Sequence, residues 1–382
     1  MRLNYGSWFR KRHSYQGYSF DRPLLLIHSD DWGRVGVRDW EVFDQLCAAG
    51  LPLGNDPYDF YSLETAEDVG ALQELLVGHR DSAGRSPRVV MNFVTANLDF
   101  PRMAEANFRQ VFLRSLQDGL PGGWKRPGLM ESYLSGIALG VFHPGLHGTT
   151  HFCPSAVNRA LADNGERAEL LKTLWRAETP YIFHLMPWIG YEYWDGELPP
   201  DDRQLDAAKQ MELIGMGYEN FVQLFGSAPA SGCAPGYRSD RNTRRAWREV
   251  GINVAQNGPG RLRLPSFSEE GVLNIYRNID FEPATDKKFT VEGALRAAGQ
   301  CFERGVPAIV SMHSINLHST LKNYRASTLN CLDRFLTALE NAYPDLLYAH
   351  DAELFEMVTG GAFHGHDQNV TIKSQLAPTA TA

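Results

Sequence analysis

Apolar, β-branched runs alternate with longer amphipathic stretches along most of the chain. The strand candidates are "PLLLIHSD" from Pro23, "RVVMNFVT" from Arg88, "ALGVFHPGLH" from Ala138 and "INVAQNG" from Ile252. "VLNIYRNIDF" from Val272, "PAIVSMHSI" from Pro307 and "DLLYAHD" from Asp345 complete the set. Between them, 3.6-residue periodicity predicts helices over Asp39 to Ala49, Ala66 to Leu76, Ala104 to Leu116 and Arg203 to Leu224. The same pattern recurs over Thr243 to Val250, Val291 to Arg304 and Ser327 to Ala342. Strand-then-helix repeats of this kind predict a parallel α/β architecture, as an open doubly wound sheet or a barrel. The polar residues favour the barrel, because Asp30, Asp31, His147, His151 and His313 all fall at or just past the C-terminal ends of strands. In a β/α barrel those ends form one rim. The fold class expected is therefore α/β, a distorted (β/α)7-type barrel.

No convincing linker divides the 382 residues. The expectation is one domain over 19–363, with an insertion at 152–200 and loosely held ends at 1–18 and 364–382. "YIFHLMPWIGYEYWDG", from Tyr181, makes the centre of that insertion aromatic-rich. A hydrophobic fraction of 43% is enough for a substantial core. The net charge of -8 without a basic face argues against nucleic acid as a partner. No stretch approaches the ~20 apolar residues of an integral membrane segment. The cysteines Cys47, Cys153, Cys233, Cys301 and Cys331 are scattered and lack metal-knuckle spacing, the pattern of reduced thiols. With no apolar leader in "MRLNYGSWFRKRHSYQGYSF", a cytoplasmic setting is expected. The oligomeric state is not legible.

The chemistry is suggested by two short stretches. Asp30 and Asp31 stand side by side at the end of an apolar run, and neighbouring carboxylates repel unless they share a cation or a proton. In "HPGLHGTTHF", His147 and His151 are four apart, a spacing that one helical turn would bring to one face. Two imidazoles so placed can grip one divalent metal, with a carboxylate from another strand completing the triad. Zinc suits such ligands best, and nickel, cobalt or manganese would also be satisfied.

These stretches resemble the polysaccharide deacetylases, carbohydrate esterases built on a distorted β/α barrel. "HSDDWG" is similar to that family's Asp-Asp motif, "HGTTH" to its metal-binding histidine motif, "APGY" to its third and "IVSMHS" to its last. They occur in family order from Leu24 to about Ser314. The resemblance implies that Asp31, His147 and His151 bind the metal, that Asp30 is the general base and that His313 is the general acid. It also implies that Met312 lines the pocket for the acetyl methyl and that the backbone N–H near Tyr237 holds the oxyanion. The substrate implied is a carbohydrate, and the reaction is removal of acetyl from an N-acetylated sugar or glycan. Two departures stand out. Cys233 occupies the place of the arginine that orients the family's catalytic aspartate, with Arg238 as a candidate to reach back. The tryptophan-bearing motif is not evident, the nearest segment being "YRNIDFEP" with Arg277 and Asp280.

Other residues weigh less. His318 lies five past His313, which in an extended strand sends it to the opposite face. His28 is expected in the core, and His143 in a turn or behind a ligand. Cys153 and Cys233 are expected to pack, and Trp188, Tyr191, Tyr193 and Trp194 either to stack on sugar rings or to form a small core of their own. "GSAPASG" has no nucleotide-binding spacing. Two rival functions remain open: hydrolysis of another amide or of a small chitooligosaccharide, and glycan binding without catalysis, which the missing motif arginine favours.

Overall fold

The computed structural model describes residues 16–360 and 370–376. The Leu24–Trp32 strand is buried along its whole length, so its sequence is a continuous apolar run rather than a clean alternation. It runs parallel to Ala308–His313 on one side and to Val89–Val94 on the other. The parallel ladder continues through Phe142–Gly148, Ser231–Cys233 and Val254–Asn257 to Leu273–Tyr276. Two residues later, Ile279–Asp280 pairs in parallel with Ala308–His313. One kinked segment, Leu273 to Asp280, therefore belongs to both edges and closes the ring. Among the described residues, this is the expected distorted (β/α)7-type barrel.

Bonds at the kink hold the closure. The Arg277 N–H donates to the Asn257 carbonyl on one side (3.2 Å), and the Asn278 N–H to the Ile309 carbonyl on the other (3.0 Å). The Asn278 side chain accepts from the Ile309 N–H (2.8 Å) and donates to the Pro307 carbonyl (2.9 Å). Six of the seven expected strands lie in the ring. The other, Leu347–Tyr348, pairs only beside the start of Leu24–Trp32. Its place in the ring goes to Ser231–Cys233, whose small residues "SGC" carry no strand signal.

Most helices fall where the periodicity puts them, including Trp40–Ala48, Ala66–Gly78, Ala207–Phe225, Arg241–Glu249, Val291–Glu303 and Arg325–Ala342. The helix expected over Ala104 to Leu116 is corrected. Phe100–Glu105 is helical, but Asn107 and Phe108 take φ of 51° and 53°, and Leu113–Ser115 pairs antiparallel with Ala96–Leu98. Left-handed residues end a right-handed helix whatever the apolar spacing beyond them. Within 152–200, Pro154–Asp163 and Glu166–Arg176 are helices that the periodicity does not single out. Of the ends expected to be loose, 1–18 and 364–382, residues 1–15, 364–369 and 377–382 lie outside the described residues, as do 361–363 of the expected domain. Among the described residues, Gln16–Phe20 pairs antiparallel with Ile372–Leu376.

Strand alternation divides the barrel into layers. Leu25, Ile27, Val310 and Met312 face the helical shell and join the main core. Leu24, Leu26, Val254, Leu273, Ile275 and Ile309 form an apolar plug that Leu354 and Met357 of the Asp351–Gly360 helix pack against. Above the plug the interior turns polar, with Asn92, Gln256 and Arg277 buried around Asp30.

At the Ala308–His313 edge the closure rests on one side chain, Asn278, which both accepts from and donates to the neighbouring backbone. Asn278→Ala is expected to cost about 1–3 kcal/mol in urea unfolding, since it leaves a backbone N–H and a carbonyl at the seam without partners. A loss below ~0.5 kcal/mol would mean that the closure does not depend on this side chain.

Candidate active site

A regular strand would send Asp30 into the barrel and Asp31 out of it. Two distortions bring both to the same place. The pairing with Val89–Val94 shifts register between Ser29 and Trp32, and Asp31 takes a left-handed φ of 73°. That conformation costs a non-glycine residue ~1–2 kcal/mol, and aspartate is among the residues that tolerate it best. The Tyr61 hydroxyl donates to the Asp31 carbonyl (2.8 Å) and holds the turned backbone. Both carboxylates consequently line one pocket of about 400 Å³ at the barrel's C-terminal rim.

Asp30 is 1% exposed and sits against Arg277 in a two-point pair, Nη1 to Oδ2 and Nη2 to Oδ1, both at 2.6 Å. Asn92 donates to Oδ1 as well (2.7 Å). Burial alone would raise this carboxyl's pKa, but the adjacent guanidinium outweighs it and holds Asp30 well below the ordinary carboxylate range. The arginine missing at position 233 is thus supplied from the barrel seam. Cys233 Sγ lies 3.4 Å from Arg277 Nη2. Arg238 does not reach back: its guanidinium lies 4.7 Å over the Trp194 ring.

Asp31 Oδ1 stands 3.4 Å from His147 Nε2 and 3.3 Å from His151 Nε2. It is a buried oxygen with no hydrogen-bond partner. Two donors each about 2.1 Å from a tetrahedral ion would be roughly 3.4 Å apart, so these separations and the orphaned oxygen fit a divalent cation. The helical reason for the histidine spacing is corrected, since His147 closes the Phe142–Gly148 strand and His151 sits in the turn after it.

The far side of each ligand is held. His147 Nδ1 faces the Cys233 carbonyl (2.8 Å) and His151 Nδ1 the Tyr181 hydroxyl (2.8 Å). Arg34 joins two of the ligands from behind, donating to Asp31 Oδ2 (3.0 Å) and to the Tyr181 oxygen (2.6 Å). Such partners fix ring orientation in metal sites. Burial lowers the His151 pKa to about 3, leaving it neutral as a ligand must be, while the Asp30 charge and the Asp31 contact hold His147 high against its own burial.

Across the pocket, His313 Nδ1 pairs with Glu282 Oε1 at 2.7 Å. Burial would lower this imidazole, but Glu282 overrides it and raises the pKa to about 9. Asn316 donates to Glu282 Oε2 (2.5 Å) and steadies the pair. Met312 does not line the pocket. His313 and Ser311 face inward, so the residue between them points into the outer core. The Tyr237 N–H is spent on the Ala234 carbonyl (2.8 Å) and the Arg238 N–H on Pro235 (3.2 Å), so neither is free for an oxyanion. The Tyr237 side chain does reach the pocket, its hydroxyl accepting from Arg277 Nη1 (2.9 Å).

Of the aromatics expected as a sugar platform, Tyr191 lines the pocket, joined there by Tyr58, Tyr61, Tyr181 and Phe183. Tyr193 is buried in a separate core, Trp194 packs on Arg203 and Arg238, and Trp188 lies under Arg167. His318 pairs with Glu64 (3.3 Å), His28 with Asp351 (2.7 Å), and His143 stacks on His350 at 3.6 Å. None of these three lines the pocket. Cys153 is packed in the same separate core as Tyr193. The sequence signal for Arg277 was present, as a basic residue inside an apolar strand. Glu282 carried none beyond lying within a quoted segment, and Arg34 carried none.

No family model matches the sequence, and no curated protein matches it. Solved structures do align with most of the chain. A probable polysaccharide deacetylase from Pseudomonas aeruginosa PAO1 aligns at 13% identity and TM-score 0.47, over 89% of this chain and 92% of that one. The Puue allantoinase aligns at 13% and 0.47, over 90% and 92%. A family 4 carbohydrate esterase from Streptomyces lividans, in complex with acetate, aligns at 10% and 0.36, over 86% and 92%. The chemistry rests on the side chains above.

Arg277→Met strips the cation from a buried carboxylate. It is expected to destabilise the fold by about 3–5 kcal/mol near pH 7.5. In the wild type Asp30 has a depressed pKa, so the pair's contribution is present above the unfolded value of 3.8 and is lost only as pH falls through the folded one. In the variant burial is opposed only by His147, His313 and the Asn92 bond, so the pKa should rise and the deficit should shrink as the pH is lowered toward 5. Urea unfolding at both pH values checks this, and an equal deficit at each would refute it.

Proposed function

We propose that this protein is a metal-dependent hydrolase that removes acetyl from an N-acetylated sugar, with zinc as the cation. The observation that carries the reading is the Asp31, His147 and His151 triad, its three ligand atoms turned toward one another between an ionised Asp30 and a proton-bearing His313. A divalent cation held by these residues polarises an amide carbonyl and makes water more acidic. Asp30 accepts the proton of the attacking water at a carboxylate oxygen. His313 donates the proton that the departing amine nitrogen needs, and Glu282 keeps it available. Tyr58, Tyr181, Phe183 and Tyr191 offer ring faces to the C–H surface of a sugar and exclude water from the reacting bond. The cysteine at 233 no longer favours a binding-only function, because Arg277 supplies the pairing that position lacks.

An acetate-release screen over N-acetylated sugars, with and without added zinc, tests the reading. Acetate is expected from the wild type and not from His147→Ala combined with His151→Ala. Metal bound without acetate from any N-acetylated sugar would move the protein to another amide substrate. Asp31→Asn is expected to weaken metal binding, whereas Asp30→Asn keeps the metal and loses ~100- to 10,000-fold in rate. Equal metal loss in both would make the pair a joint ligand.

The acid has its own signature. With Asp30 ionised throughout the neutral range, kcat/KM should fall on the alkaline side as His313 loses its proton, near about pH 9. Glu282→Gln removes the largest of the charges that raise this pKa, leaving Asp30 and Asp31 against burial, so the falling limb should move to lower pH. A limb that does not move would separate His313 from the acid role.

A further inference from the structure

The five-residue stretch from His147 to His151 must hold two imidazoles in register while containing a glycine and two threonines. Thr149 is fully buried and Thr150 is 2% exposed, so their backbone N–H groups have no water to fall back on. Both donate to one carboxylate from the insertion. Glu192 Oε1 accepts from Thr149 (2.9 Å) and from Thr150 (2.7 Å), and Oε2 lies 3.2 Å from the Thr149 nitrogen. The Thr150 hydroxyl is 3.4 Å from Oε1. The third residue between the histidines is shaped around the same group. Gly148 has φ of +126°, and a Cβ there would lie 2.1 Å from Glu192 Oε2.

The other face of the stretch is held from the barrel, where the Thr95 hydroxyl donates to the Gly148 carbonyl (3.2 Å). The Thr95 N–H donates to the Gly148 carbonyl (3.0 Å) and the Ala96 N–H to the Thr149 carbonyl (2.9 Å). Carbonyls are therefore fixed from the barrel, and both amides are fixed from the insertion by one side chain, while Tyr181 of the same insertion holds the His151 ring. Glu192 is fully buried at the tip of a tight turn that Tyr191 and Trp194 close with bonds of 2.9 and 2.8 Å. Its chain neighbour Tyr191 lines the pocket, and Tyr193 is locked into a core. The turn is thus anchored, and the carboxylate is presented at a fixed height over the histidine loop.

We propose that Glu192 is a positioning residue for the metal centre, setting the separation of the His147 and His151 imidazoles by holding the amides between them. The proposal rests on the metal reading above and adds a residue that touches neither metal nor substrate. A chelating site tolerates only about 0.5 Å of error in its ligands, and loss of supporting contacts typically costs 10- to 100-fold in metal affinity.

The test uses the full chain, with zinc affinity measured by chelator competition and exchange of the Thr149 and Thr150 amide protons followed in the metal-free protein. Glu192→Ala and Glu192→Asp, which withdraws the carboxylate by one methylene, should each weaken zinc at least 10-fold. Both should also expose the two amides to faster exchange. Glu192→Gln keeps an acceptor at Oε1 and should stay within ~3-fold of wild type. A role in stability alone would lower the melting temperature of all three without this ordering in zinc affinity. Wild-type zinc affinity in folded Glu192→Asp would overturn the proposal, and this variant decides it even if Glu192→Ala fails to fold. A wild-type chain that takes up no zinc would overturn the metal reading and the proposal with it, and that failure shows before any variant is made.

Discussion

A buried pair between Asp30 and Arg277 holds both the barrel seam and the chemistry in place. Arg277 sits at the kink where one segment passes from one edge of the ring to the other, and its guanidinium points inward onto the strand that carries the site. From that pair, hydrogen bonds continue inward. Arg277 and Asn92 meet at Gln256, Gln256 donates to Asp351 Oδ2 (2.8 Å), and Asp351 pairs with His28. Buried ions are costly unless every lone pair and proton finds a partner, and removal of one member leaves an uncompensated charge. The polar layer therefore fixes how the barrel closes, since other registers would strand a charge in the interior.

The same reasoning separates two adjacent aspartates that sequence treats alike. Both Asp30 oxygens already accept from Arg277, and one also accepts from Asn92. Asp31 gives one oxygen to Arg34 and turns the other, unpartnered, toward two imidazole nitrogens. Partner geometry, and not intrinsic acidity, thus suits Asp31 to a cation and leaves Asp30 to act beside it. The strained turn at Asp31 is what allows both to face one cavity, and Tyr61 helps to maintain it.

Much of this was legible in the sequence. Strand ends carrying Asp30, His147 and His313 gave the barrel and its rim, because burial on both faces leaves long apolar runs that are hard to mistake. What escaped notice was set by contacts between distant segments. Arg277 lies 247 positions from Asp30, and no local pattern says which of several arginines will meet a given carboxylate. Glu282 looks like a turn residue until the barrel closes and puts it on His313. Met312 was misplaced for a simpler reason. Ala308–His313 keeps its register to the end, with no distortion like the one at Asp31, so the pocket that takes His313 does not take its neighbour.

Charge balance gives the site its remaining character. Asp30 is matched by Arg277, Asp31 by Arg34 and Glu282 by His313, so three carboxylates around the site are each paired with a cationic side chain. In a site where several bare carboxylates surround a cation, much of its field is absorbed by the ligands themselves. Here two ligands are imidazoles and the third is already shared with an arginine. On the reading proposed above, the field of a divalent cation would be left to act on water and on the acyl oxygen, where hydrolysis needs it. An arrangement that spends two buried arginines to neutralise two aspartates is wasteful for stability alone, because apolar residues of similar size would fill the space at least as well. It is economical for a centre that must keep one carboxylate ionised and another orientated without adding net negative charge.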